Sequence, residues 1–129
     1  MKTLIRNHRM MTAVIVVGLL FWIWSLSAAF RGSIAARYDL AHGYYEVQSF
    51  GLTAPWRPDY VRLLKERYGI ESREVAGCVV SESLVSYVHA YNEVAKAAAE
   101  RKFGHDVFTE CSNDARKAWR AESLADSYH

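Results

Sequence analysis

The sequence predicts an α/β fold, in which one transmembrane helix is followed by a small β-α-β-α-α domain with a two-strand sheet. Three observations favour this arrangement: an uncharged run near the start, two short runs rich in β-branched and aromatic residues, and stripes of apolar residues at helical spacing. An α+β arrangement of the same elements is the alternative, because so small a sheet barely separates the two classes.

The first element is residues 11–30, which contain no charged side chain. A helix of that length is about 30 Å long, which matches the hydrocarbon core of a bilayer. Trp22 and Trp24 lie near its far end, where indole rings favour the membrane interface, and Arg31 follows shortly after. We therefore expect a transmembrane helix that contacts the lipid bilayer through residues 11–30.

The alternative for this segment is a cleaved signal peptide. Ser27, Ala28 and Ala29 are small residues of the kind that signal peptidase reads. The apolar core of a signal peptide is typically about 7–15 residues, which is shorter than this run. The length therefore favours an uncleaved anchor.

Residues 1–10 form a basic tail whose charged side chains are Lys2, Arg6 and Arg9. Basic residues collect on the cytoplasmic side of a membrane span. This bias predicts a cytoplasmic N-terminus and an extracytoplasmic domain at the cell membrane, which is periplasmic if the host is Gram-negative.

The charge balance argues against a nucleic-acid partner. The chain has 16 Lys and Arg against 14 Asp and Glu. Three of those cations precede residue 31 and no acid does, so the rest of the chain stands at 13 − 14 = −1. A nucleic-acid-binding domain shows a basic excess, and this domain has none.

Residues 31–43 read as a juxtamembrane helix or linker. Ser33 can cap a helix and Gly43 can end it. Two arrangements fit this piece: a two-turn helix that docks on the domain, or a direct continuation of the anchor past Gly32.

The domain is predicted over residues 44–122 and begins with a β-α-β unit. Aromatic and β-branched residues predict strands over 44–50 and 74–80, the second covered on both faces as in a parallel sheet. Between them, an amphipathic helix is predicted over 58–68. Pro58 suits its first position, and Gly69 with Ile70 forms a Schellman ending.

Two longer helices complete the domain. Ser81 can cap a helix over 82–103 that Gly104 closes, and Asp106 can cap the last helix. Residues 123–129 are predicted to form a frayed tail. The predicted core consists of Tyr45, Val47, Leu63, Leu64, Val75, Val79, Leu84, Val88, Tyr91, Phe108 and Trp119.

No catalytic constellation is evident in the sequence. Cys78 lies in an apolar run that predicts burial, and His89 lies on the polar face of its helix, where Glu93 can pair with it. Zinc-type Cys and His spacings, a phosphate-binding loop and a nucleophile elbow are all missing. We therefore predict no catalytic residue, no cofactor and no metal site.

Cys78 and Cys111 pose a separate question. An oxidising compartment favours a disulfide. The unbroken helix over 82–103 is about 33 Å long and holds the two cysteines too far apart for the required Cα separation of about 5.5 Å. Geometry therefore favours two free, buried thiols.

One place has a physical reason to bind a ligand. In β-α-β sheets, ligands bind beyond the carboxyl ends of the strands, where helix N-termini offer free N–H groups. The residues at those ends form a candidate pocket for a small anion or carboxylate: Thr53, Trp56, Arg57, Ser81 and Ser83. Two observations argue against this pocket: helix capping alone is enough to explain Ser81, and the carboxylate of Glu82 would repel an anion.

No motif is specific enough to assign a family. An anchor with a compact domain and no catalytic set predicts a non-enzymatic accessory or partner-binding subunit of a membrane complex. The alternative is a small envelope enzyme or ligand-binding domain that uses the strand-end pocket.

Overall fold

The computed structural model describes residues 2–126, apart from the side chains of residues 2–9, 25 and 26. It confirms a mixed helix and strand fold with a two-strand parallel sheet. The elements in chain order are α1 Lys2–Ala41, β1 Glu46–Phe50, α2 Arg57–Tyr68, β2 Glu71–Ala76, α3 Glu82–Phe103 and α4 Val107–Asp126.

Helix α1 is one continuous helix of 40 residues. Its stretch Met10–Ala41 is long and apolar enough to cross a membrane, by length and composition. Residues 31–41 are not a separate helix. The structure combines the two predicted arrangements, because the helix continues past Gly32 and its later residues also dock on the domain. The reason is that no helix breaker lies between residues 11 and 41 apart from Gly18 and Gly32, which a helix tolerates.

The second half of α1 packs closely against α3. Ala28 and Ala36 are buried, and Gly32 lies between them at the same four-residue spacing. A Cβ on Gly32 would overlap the carbonyl oxygen of Tyr87 and lie 3.0 Å from its carbonyl carbon. Small residues at this spacing let two helix backbones approach closely.

A polar contact completes this helix pair. The Tyr91 hydroxyl donates to Asp39 Oδ2 at 2.6 Å, beside a buried cluster that includes Ala36 and Ala95. Burial and this hydrogen bond raise the pKa of Tyr91, so the phenol remains a neutral donor. Residues 28–41 are therefore built into the domain.

The two helices run in the same direction, whereas β1 runs against α3. Gly32 meets Tyr87, and further along both helices Ala41 and Ala98 line one hollow. Asn92 on α3 exchanges two hydrogen bonds with the backbone of Gln48, at 2.8 and 2.7 Å. Tyr45 lies under Lys102, and Phe50 lies beside His89, so β1 descends as α3 ascends.

The second strand covers Glu71–Ala76 rather than the predicted residues 74–80. Its position is set by the hydrogen bonds that it makes with β1, not by the apolar run in the sequence. Glu71 N donates to Tyr45 O at 2.8 Å at the start of the ladder, and Gly51 N donates to Ala76 O and Gly77 O at its end. Gly51 turns the chain with φ of 89°, so the pairing between the two strands ends at Ala76 and Gly77.

Two core predictions are wrong for related reasons. Val79 is 92% exposed, since it follows the end of the sheet. Trp119 is 38% exposed because it lies beyond the part of α4 that contacts α2 and the residue before it: Arg67 meets Asp114, and Trp56 meets Arg116. The other predicted core residues are buried or partly buried: Tyr45, Val47, Leu63, Leu64, Val75, Leu84, Val88, Tyr91 and Phe108.

The predicted ends of α2 and α3 and the predicted start of α4 are confirmed, whereas no helix begins at Ser33 because α1 runs through it. Gly69 adopts φ of 66°, and Ile70 N donates to Leu64 O, which forms the Schellman ending of α2. The Ser81 hydroxyl accepts from Leu84 N at 3.2 Å, and Gly104 ends α3. Asp106 accepts from the N–H groups of Phe108 and Thr109, each at 3.0 Å, and from the Thr109 hydroxyl. The Thr109 hydroxyl has the largest effect in lowering the pKa of Asp106, and the two N–H groups lower it further.

The predicted tail over 123–129 is only partly described. Helix α4 continues to Asp126, so residues 123–126 are helical rather than frayed, and residues 127–129 lie outside the described residues.

Candidate functional site

A cavity of about 470 Å³ lies where the start of α2 meets α4 and the middle of α3. It combines three aromatic rings with three basic side chains. These six residues, which we call the aromatic-basic cavity, are Trp56, Arg57, Tyr60, Lys96, Phe108 and Arg116.

The aromatic rings hold two of the cations in place. The Arg116 guanidinium carbon lies 4.7 Å from the centre of the Trp56 ring, and Lys96 Nζ lies 5.6 Å from that of Phe108. Trp56 and Tyr60 meet edge to face with centroids 6.0 Å apart. Cation–π contacts of this kind position a cation without neutralising its charge.

Arg57 is held by the sheet. Its guanidinium donates to the hydroxyls of Ser49 on β1 and Ser72 on β2, the second at 3.2 Å. Burial raises the pKa of Tyr60 to about 12, against the opposing effect of Arg57, so this phenol is a neutral hydrogen-bond donor at physiological pH.

The cavity is basic and has no carboxylate in its lining. Within residues 10–126, Arg57, Lys96 and Arg116 form no ion pair with a carboxylate, whereas Arg62, Lys65, Arg67 and Arg73 each do. Three unpaired cations beside flat aromatic faces favour an anionic group, such as a carboxylate on a ligand or on a partner's side chain.

The structure brings together two of the five residues predicted for the strand-end pocket. Trp56 and Arg57 line the aromatic-basic cavity. Ser81 caps α3, while Ser83 and Thr53 do not line this cavity.

Lys96 and Arg116 are not among the residues predicted for the pocket, because they reach it only through the packing of α3 and α4 near the start of α2. A local signal was available for Arg116, since it follows the buried Phe108 at eight residues and therefore shares its helix face.

Comparison with protein-family models, characterised proteins and solved structures finds no match to this chain. The geometry of the described residues therefore carries the functional argument.

A second hollow, of about 850 Å³, lies between the end of α1 and α3. Its walls include Ala41, Ala97 and Ala98, and Glu93 stands among its basic residues. It contains fewer aromatic faces and a carboxylate that opposes an anion. The aromatic-basic cavity is therefore the stronger candidate for a binding site.

The two cysteines are both free, as the geometry predicted, but only Cys111 is buried. The predicted burial of Cys78 is wrong, because Cys78 follows the end of β2 in an exposed loop. Burial raises the pKa of the Cys111 thiol, which disfavours the reactive thiolate. His89 lies edge-on to Phe50 rather than bonded to Glu93 among the described residues.

A polar cluster joins α2 to α4 at the end of the domain away from the predicted span. His105 Nε2 lies 2.8 Å from Glu110 Oε2, and the Tyr68 hydroxyl donates to Glu110 Oε1 at 3.0 Å. Arg67 contacts Glu110 at 3.1 Å and Asp114 at 2.8 Å. No three His, Cys, Asp or Glu side chains in the described part of the chain are placed to hold a metal ion. The cluster therefore reads as a tie between two helices.

Proposed function

We propose that this chain is a single-pass membrane protein whose extracytoplasmic domain is a non-enzymatic accessory subunit that binds a protein partner at the membrane. The observation that carries the proposal is the continuity of α1, which is apolar in its first half and packed into the domain in its second.

This continuity has a mechanical consequence. Side chains from Met10 to Trp24 are exposed and almost all apolar, as lipid-facing residues are. Ala28 and Ala36 are buried against α3 only a few residues later. A flexible linker is therefore missing between the proposed span and the domain, and the domain has a fixed orientation to the bilayer, which suits a docking subunit.

The aromatic-basic cavity supports a partner with an acidic segment. Its three unpaired cations belong to a domain whose net charge is 13 − 14 = −1, so its positive charge is local. A partner carboxylate near Arg116 would gain charge-assisted hydrogen bonds, and an adjoining apolar side chain could cover Trp56.

The alternative is a small envelope enzyme or ligand-binding domain. Its support is the same cavity, since Trp56 and Arg57 belong to it as well as to the predicted strand-end pocket. Ser81 is used as a helix cap, so this alternative rests on the residues of the cavity.

One preparation tests the proposal. We expect the full chain to stay in membranes after an alkaline carbonate wash, and a topology reporter fused after His129 to be active outside the cytoplasm. In mild detergent, the chain should co-purify with a partner at fixed stoichiometry. Arg116→Glu should weaken that complex because it reverses one charge of the cavity, whereas Lys117→Glu on the adjoining exposed position should not.

Three results would contradict it. Release by carbonate, or a mature N-terminus near residue 30, would show that α1 is not an anchor. Reporter activity confined to the cytoplasm would reverse the orientation. A monomer that binds or converts a small anion, and loses this ability in Arg116→Glu, would establish the alternative.

A further inference from the structure

Two uncharged loops lie at the end of the domain that faces the proposed span. The first, residues 51–56, follows β1, and the second, residues 77–81, joins β2 to α3. Because β1 runs against α3 and α3 runs parallel to α1, both loops point towards the N-terminal half of α1. We call them the membrane-facing loops.

Their height along α1 follows from one contact. Gly32 on α1 is level with Tyr87 on α3. Both helices rise about 1.5 Å per residue, so six residues before this contact on each helix Ser81 is level with residue 26. Val79 is three residues after Ala76, which pairs with Phe50 beside His89, so at roughly 3.3 Å per residue it lies no lower than about the level of residue 27.

That level is where a bilayer surface would lie. The Arg31 guanidinium carbon reaches back to within 4.8 Å of the centre of the Trp24 ring, and a tryptophan beside a snorkelling arginine is typical of the headgroup layer. Leu52 is higher, since it follows Phe50, which lies beside His89.

The tips of the two loops are apolar and open to solvent. Leu52 is 89% exposed and Val79 is 92% exposed, and Cys78 beside it is also exposed. Exposing large apolar side chains to water is unfavourable, and burying them in an interface is favourable. The charged residues nearest the second loop, Glu74 and Glu82, lie outside it.

We propose that the membrane-facing loops rest in the headgroup layer of the same bilayer that α1 crosses, with Val79 as the deeper contact and Leu52 as the outer one. This inference rests on the proposed anchor. The bilayer is the occupant because α1 carries the loops to its surface as part of one packed unit. The contact would fix the tilt of the domain relative to the membrane.

A nitroxide on Cys78 tests the proposal in the full chain, with Cys111→Ala to leave one thiol. The chain is reconstituted in phosphatidylcholine vesicles, and power saturation compares access of oxygen, which concentrates in lipid, with access of a water-soluble nickel chelate. The matched control carries the label at Glu100→Cys with Cys78→Ser, near the other end of the same helix. We expect the oxygen-to-nickel ratio at Cys78 to be several-fold higher than at the control.

Equal ratios at the two positions, in chain that resists carbonate extraction, would overturn the loop contact and leave the anchor intact. Chain that carbonate releases would instead reject the proposed function. As a second readout, Val79→Asp should lower the ratio at Cys78, because a carboxylate draws the loop out of the headgroups, and its exposed position spares the fold. No change in that variant would also overturn the contact.

Discussion

Gly32→Ala is expected to lower the free energy of unfolding of the domain by about 3 kcal/mol. The added Cβ would overlap the carbonyl oxygen of Tyr87, and a backbone atom cannot turn aside as a side chain can. Helix α1 must therefore move away from α3, which opens the contacts of Ala28 and Ala36 and strains the bond between Tyr91 and Asp39. Denaturant unfolding in detergent micelles, followed by circular dichroism, measures the loss.

Gly18→Ala is the matched control. It places the same methyl group on the same helix, but nothing lies within 4 Å of the new Cβ. We expect no loss of stability from this change. Equal behaviour of the two variants would mean that α1 does not pack against α3 at Gly32.

Val88→Asp is expected to cost more than about 3 kcal/mol, because it buries a carboxylate without a partner. Val88 is 2% exposed on the inner face of α3. Glu93→Ala on the exposed face of the same helix should cost under about 0.5 kcal/mol. The same unfolding measurement compares them, and similar losses would mean that α3 is rotated from the orientation described.

The features predicted best from the sequence are those set by neighbouring residues. Ser81, Asp106 and the pair Gly69 and Ile70 mark helix ends through bonds to groups only a few residues away. Such bonds depend on local sequence alone, so they can be recognised before the fold is known.

The errors lie where a distant element decides the outcome. The run around Val79 has the composition of a strand, but β1 ends at Phe50 and leaves it unpaired. Trp119 shares the apolar face of α4 with Ala115, yet the contacts that α4 makes with Arg67 and Trp56 lie at Asp114 and Arg116, before Trp119. In both cases the element that fails to cover the residue lies elsewhere in the chain, so the outcome cannot be seen in the local sequence.

The candidate site was only partly predictable for the same reason. Trp56 and Arg57 stand out in sequence because they adjoin a helix start after a strand. Lys96 and Arg116 join them only through the packing of α3 and α4 around α2. The small residues Ala28, Gly32 and Ala36 did carry a local signal of close helix packing, and their spacing indicates that the helix predicted as an anchor continues into the domain.

The central claim is that α1 passes from the bilayer into the domain without a break, and thiol alkylation along residues 28–38 tests it most directly. Single cysteines replace Ala28, Ile34, Ala36 and Tyr38 in a chain with Cys78→Ser and Cys111→Ala. Cysteines at 34 and 38 should react quickly, because these side chains are 50% and 64% exposed. Cysteines at 28 and 36 should react at least about tenfold more slowly, since they are reached only when the helix pair opens. Equal rates at all four positions would show a free linker and contradict the account.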